Sequence, residues 1–234
     1  MRKKRKYSSL IFRLIAFIIS LYAITQMNQD RMMGGSPLVF FTIQSNILVS
    51  ISFLLLIIVN IRDIIKHKNK CTYNTILHTA VVVYISITFL VFWGLLSWNT
   101  DPIYLFTPHN ILLHFLIPVL AIIDWIFYIP HGRLKNEHSI YFLIYPLLYY
   151  IFTIIRSKIG EPLGIIEFKG NIVELKYPYF FIEPSLFTRK WLLITIILFV
   201  CCLFYLIGIF YVKIDRYIKK VRRKKKWKFI KLFK

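Results

Sequence analysis

The residues best suited to chemistry stand at the heads of two apolar stretches. Phe41-Thr42-Ile43-Gln44-Ser45-Asn46 opens one, and Asn110-Ile111-Leu112-Leu113-His114 opens the other. Thr42, Ser45 and Asn46 fall at i, i+3 and i+4, so on a helix they share one face. A threonine hydroxyl is inert at its own pKa and becomes a nucleophile only beside a base. Neutral histidine can take that proton and return it to a leaving alcohol. Gln44, Ser45, Asn46 and Asn110 add amide and hydroxyl groups that can orient an imidazole or stabilise an oxyanion. Together these types spell cleavage or transfer of an ester. They also have a second reading. Ser and Thr in membrane helices often bond back to an i−4 carbonyl, and Asn and Gln tie helices together for roughly 0.6–2 kcal/mol each. The residues alone leave both readings open.

The elements that must position these groups follow from hydropathy. The chain has 234 residues, 58% of them hydrophobic, against about 45–50% in a soluble domain. The excess is gathered into long runs, as expected of a chain solvated by lipid. Runs at about 7–26, 37–61, 75–98, 108–128, 139–157 and 190–212 predict an all-α, polytopic bundle of six transmembrane helices. Residues 1–212 form that six-span domain, and 213–234 form a basic tail. The first run is too long, and too poorly followed by small residues, to read as a cleaved signal peptide. Ser36-Pro37 and Thr107-Pro108 each read as an N-cap followed by proline at the first helical position. An outer loop of roughly 30 residues, 158–188, joins spans five and six. Within it Ile165–Phe168 and Ile172–Leu175 flank a Gly-Asn turn and predict a small hairpin. Such a loop is a lid, a plug or a plain surface connection.

Charge orients the bundle. Lys and Arg number 31 against 10 Asp and Glu. A hydrophobic span at every turn of the chain leaves no room for a soluble nucleic-acid module. Of the 31, 24 lie on the side of the termini and seven on the other, which predicts both termini in the cytoplasm of a multi-pass cell-membrane protein. The basic tail reads either as a topology signal or as a dock for anionic lipid, at about 1 kcal/mol per basic residue, with Trp227, Phe229 and Ile230 as an interfacial anchor. Membrane lipid is the expected partner. Cys71, Cys201 and Cys202 have no metal or disulfide spacing, and no motif calls for a metal or cofactor.

Spans two and four both run inward from the outer side. Thr42 lies five residues after Pro37 and His114 six after Pro108, so both fall about 8–9 Å below their helix starts. Facing helices about 8–10 Å apart would let them meet. Other groups are placed more loosely. Arg13 is expected to snorkel to the basic end, His78 to lie at the inner interface, and Asp124 to pair with Arg62 or Arg133. Tyr145, Tyr149 and Thr153 repeat every fourth residue towards Arg156, a stripe that lines a cavity with a head-group contact or else packs as an aromatic face.

Several of these motifs carry a resemblance. Phe41-Thr42-Ile43-Gln44-Ser45-Asn46-Ile47-Leu48, Leu113-His114-Phe115-Leu116-Ile117-Pro118 with Asp124-Trp125, and Tyr145-Pro146-Leu147-Leu148-Tyr149 with Arg156 and Tyr177-Pro178-Tyr179-Phe180-Phe181-Ile182 occur in order. They resemble bacterial six-span membrane proteins of the Pr-six-Pr type, over roughly residues 8 to 212. That group is similar in layout to the eukaryotic androgen-induced and ADTRP-like proteins, multi-span hydrolases that cleave fatty-acid esters of hydroxy fatty acids with an intramembrane threonine and histidine. The resemblance implies Thr42 as nucleophile and His114 as base. The eukaryotic motif has a second histidine directly after the asparagine; here Ile111 follows Asn110, and His109 precedes it. The implied activity is hydrolysis of a fatty-acyl lipid ester. The alternatives are a non-enzymatic lipid-binding or structural membrane protein, or an acyl transferase using the same pair.

Overall fold

A computed structural model describes residues 3–26, 36–68, 73–168 and 170–231. Cys71 lies outside the described residues, as do the side chains from Lys225 onward, including the expected anchor of Trp227, Phe229 and Ile230. The helices are α1 (Lys3–Thr25), α2 (Phe41–Ile65), α3 (Thr75–Val91), α4 (Pro102–Leu105), α5 (Pro108–Ile111), α6 (Ile117–Tyr128), α7 (His138–Tyr141), α8 (Ile144–Ile159) and α9 (Lys190–Lys231). Among the described residues six helical segments are long and apolar enough to cross a membrane: Arg5–Thr25, Phe41–Ile65, Thr75–Leu96, Pro108–Tyr128, His138–Ile159 and Lys190–Lys224. The predicted all-α six-span bundle is the observed architecture.

Local chemistry sets the boundaries. Asn74 caps α3, its side-chain oxygen accepting from the N–H groups of Ile76 and Leu77. Thr107 caps α5 by accepting from Asn110 N at 3.3 Å, with Pro108 at the first helical position. Ser36 caps only a 3₁₀ turn, Pro37–Val39, before extended Phe40 and the start of α2. Thr42 therefore lies in the first turn of α2, not a full turn inside it. α9 crosses residue 212 without a break. At about 1.5 Å per residue its 42 residues reach roughly 63 Å, twice a hydrocarbon core of about 30 Å, so its basic end projects beyond the membrane. Gly208 lets α9 close on α7, since a Cβ there would stand 3.2 Å from Phe142 and Ser139.

The core lies among α1, α2, α3 and α6, where Phe53, Leu56, Val82, Ile85, Ile117 and Trp125 are buried. The expected hairpin is present. β1 (Gly164–Phe168) pairs antiparallel with β2 (Asn171–Leu175), Phe168 opposite Asn171, and Gly170 takes φ of +76°, the left-handed region.

The segment after the hairpin is pinned by Glu183, which is 2% exposed. Its carboxylate accepts from Lys176 N (2.6 Å), Tyr177 N (3.0 Å), Ser185 N (3.3 Å) and Ser185 Oγ (2.8 Å). Hydrogen bonds to a charged group are worth about 1.5–3 kcal/mol each. Glu183→Ala is expected to loosen this segment alone. Hydrogen exchange should speed up at Lys176 and Tyr177 while the spans keep their protection; unchanged exchange there would remove Glu183 from this role.

Candidate active site

The two polar inserts meet where the head of α2 faces a distorted part of span four. Leu112–Leu116 forms a π turn between α5 and α6, and Ile117 N–H bonds to Leu112 O instead of to Leu113 O. Pro118 has no N–H to give to His114 O. Two adjacent carbonyls are thus stripped of their helical partners, and neighbouring helices supply replacements. Asn46 Nδ2 donates to Leu113 O at 3.2 Å and to Thr42 O at 2.8 Å. Trp93 Nε1 donates to His114 O at 3.0 Å. Trp93 itself lies in a second π turn, Phe92–Leu96, at the end of α3. Facing π turns are uncommon and recur at functional sites. The signal was present in the sequence as a proline four residues after the histidine.

His114 is 8% exposed. Its Nδ1 lies 3.2 Å from Asn110 O, so the main chain of Asn110, not its amide, orients the ring. Phe92 stacks on the imidazole with centroids 3.7 Å apart and planes 20° off parallel. The Asn110 amide donates to Leu105 O. The side-chain oxygens of Asn46 and Asn110 are buried with no hydrogen-bond partner among the described residues, a feature uncommon in native interiors. Ser45 Oγ donates to Thr42 O and pairs with Thr88 Oγ1 at 2.8 Å. Gln44 faces elsewhere, accepting from Tyr145 Oη at 2.7 Å and donating to Leu38 O at 2.7 Å.

Thr42 is half-buried in the wall of a cavity of about 460 Å³. The cavity runs among α2, α3, α8 and the first half of α9, under Tyr179–Ile182 of the loop between α8 and α9, and its lining is almost wholly apolar. That volume falls within the range of small-molecule sites, about 300–1,000 Å³. At the Thr42 end polar groups converge. Thr42 N–H donates to Tyr179 Oη at 3.3 Å, and the phenol also interacts with the hydroxyls of Thr42 and Tyr149. Burial pushes the Tyr179 phenol above its ordinary pKa, so at neutral pH it keeps its proton and can donate. Tyr149 lines the cavity and donates to Val39 O. Phe92 borders the cavity while His114 does not. The two inserts are joined by the Asn46 bond to Leu113 O, with Thr42 in the cavity wall and Phe92 on the cavity side of the His114 imidazole.

Other expected contacts fall differently. Arg156 makes no head-group site in the cavity wall. It reaches the loop between α8 and α9, donating to Lys176 O at 3.0 Å and Glu161 O at 2.5 Å. Arg13 does not snorkel; it is 2% exposed and donates to Asp124 through Nε at 2.7 Å and Nη2 at 3.3 Å. His78 is a core residue at 1% exposure, not interfacial, with Nε2 3.4 Å from Asp124 and Nδ1 2.8 Å from Ser52 Oγ. Arg62 and Arg133 play no part in this cluster, because both are exposed at the helix ends. A bare charge in an apolar interior costs several kcal/mol, so the buried carboxylate takes the guanidinium one turn-face away on α1 in preference to one beyond the interface. Among the described residues no group of three or more His, Cys, Asp or Glu is arranged to hold a metal.

These features define the class: a polytopic integral membrane protein with an intramembrane cavity and a polar contact at its edge. No family model matches the sequence, and no curated protein or solved structure does either.

Proposed function

We propose that this protein is an intramembrane hydrolase of fatty-acyl esters, with Thr42 as nucleophile and His114 as general base, in a cell membrane with both termini cytoplasmic. One observation carries the reading: an otherwise apolar cavity presents the Thr42 hydroxyl and the Tyr179 phenol together at one end. An acyl chain lying along the apolar wall places its ester at that end. His114 takes the proton as Thr42 Oγ1 attacks the acyl carbonyl, then gives it to the departing alcohol. Water hydrolyses the acyl-threonine and regenerates the hydroxyl. The protonated Tyr179 phenol donates to the developing oxyanion. The sequence resemblance supports the same pair, and the 24-to-7 split of basic residues supports the orientation.

Proton transfer needs roughly 2.6–3.2 Å or one bridging water, so Phe92 must turn aside on substrate entry. A covalent probe for active-site hydroxyls is expected to label Thr42 in the wild type and to fail in His114→Ala. Labelling that persists without His114, or never occurs at Thr42, would sink the assignment. Tyr179→Phe should lower turnover by about 10²-fold, the share of one oxyanion donor, with little change in KM.

A second reading has its own observation. Phe92 screens His114 from the cavity, as it would in a protein that holds an acyl chain without cleaving it. Bound lipid released intact on denaturation, with no turnover of any acyl ester offered, favours that reading.

A further inference from the structure

At the end of the bundle that carries both termini, the geometry points to a binding site for the phosphate of an anionic phospholipid, formed by Arg5 on α1 and Arg222 on α9 with the Ser8–Tyr128 hydroxyl pair. The two arginines come from opposite ends of the chain and converge on the last turn of α6. Arg5 donates to Phe127 O. Arg222 donates to Ile126 O at 2.6 Å and to Ile129 O at 3.5 Å. Helix C-terminal carbonyls attract cations, and here two guanidiniums bond to adjacent carbonyls of the same turn, those of Ile126 and Phe127. Ser8 Oγ and Tyr128 Oη lie 2.9 Å apart beside them.

Among the described residues neither arginine makes an ion pair with a carboxylate. Asp215 acts on Arg222 only through its charge, and its oxygens are bonded elsewhere. Its oxygens accept from Gly132 N at 2.8 Å and Leu134 N at 3.0 Å and lie 3.1 Å from His131 Nδ1. A guanidinium has five N–H donors, and the carbonyl bonds use one from Arg5 and two from Arg222. The remaining donors, with both hydroxyls, suit a phosphodiester, which arginine forks bind in bidentate fashion. Ser8 is exposed and both arginines are half-buried at the end of the apolar spans, the depth at which lipid phosphates lie. The site differs from general attraction to a basic tail, because Lys220, Arg223 and Lys224 face outward on α9. It is independent of the catalytic proposal and requires only that both termini share one membrane face.

The test uses the full-length protein in an uncharged detergent, titrated with short-chain phosphatidylglycerol, phosphatidylcholine or inorganic phosphate, with the unfolding midpoint giving an apparent Kd. Phosphatidylglycerol is expected to stabilise, and the other two are not. Arg5→Gln with Arg222→Gln should weaken that binding about 30-fold, the contribution of two basic residues, while Lys220→Gln with Lys224→Gln leaves it unchanged. The proposal is overturned if phosphatidylcholine or phosphate stabilises equally, or if both double variants weaken binding alike. Should the first double variant fail to fold, Arg5→Lys with Arg222→Lys decides. It keeps the charge but lacks the fork, and should bind about tenfold more weakly; unchanged affinity there also overturns the proposal.

Discussion

Thr42→Ala is expected to abolish acyl-ester turnover while leaving the protein folded and the cavity able to take an acyl chain. Removing the nucleophile or the base of a coupled pair costs about 10⁴-fold or more in kcat, and the two losses do not add. His114→Ala should therefore be as inactive as Thr42→Ala, and the double variant no worse. Folding should be affected unequally. Thr42 contributes its main chain to the contact: its N–H donates to Tyr179 and its carbonyl accepts from Asn46 and Ser45. Alanine keeps all three bonds. His114 contributes a ring stacked on Phe92, so its replacement leaves a cavity and should lower stability by about 2–4 kcal/mol. Turnover by the Thr42→Ala protein at the wild-type rate would remove threonine catalysis. Inactivity in both variants with undiminished lipid binding separates chemistry from binding.

Asp124→Ala is expected to destabilise the bundle by about 3–5 kcal/mol, the cost of breaking a buried ion pair by removing one partner. The loss arises from Arg13 on α1. Its guanidinium, 2% exposed, would be left charged inside the bundle with no carboxylate. Arg13→Met combined with Asp124→Leu should recover most of that loss, since buried pairs replaced by apolar groups of similar volume are often neutral or better. His78 keeps Ser52 as partner in the double variant. Chemical unfolding in detergent distinguishes the cases. If the single and double variants unfold alike, the pair is not what holds α1 to α6. The cluster is sealed in the core and takes no part in the wall of the Thr42 cavity, so turnover per folded molecule should be unchanged in the double variant.

The local features of the site were legible because each is written within a turn or two of chain. Thr107-Pro108 caps α5, and the Gly170 turn closes the hairpin as expected. Thr42, Ser45 and Asn46 do share a face towards spans three and four, and Asn46 meets span four one residue from His114. The partners of Arg156 were not legible, for a definite reason. A basic residue at an outer helix end reads as a head-group contact, yet the loop between α8 and α9 folded back and offered two carbonyls first. Asp124 does form the expected ion pair, but with Arg13 on α1, because a partner this distant in the chain is not visible locally. Tyr179 was visible only as part of a motif, 137 residues from Thr42.

The sequence by itself determined the six spans, the Thr107-Pro108 helix start, the hairpin and the presence of two polar inserts in spans two and four. It did so because hydropathy, capping and turn chemistry act over a few residues. The tertiary structure decided which groups meet: Arg13 with Asp124 across 111 residues, Tyr179 over Thr42, Phe92 against His114, Arg5 and Arg222 on adjacent carbonyls of α6. In lipid a helix is apolar on every side, since the tails are as apolar as the core. The pattern that tells a soluble helix which way to face is then nearly absent. Rotation, crossing and the two π turns are set by packing and by unpaired carbonyls seeking donors, and those partners come from distant parts of the chain.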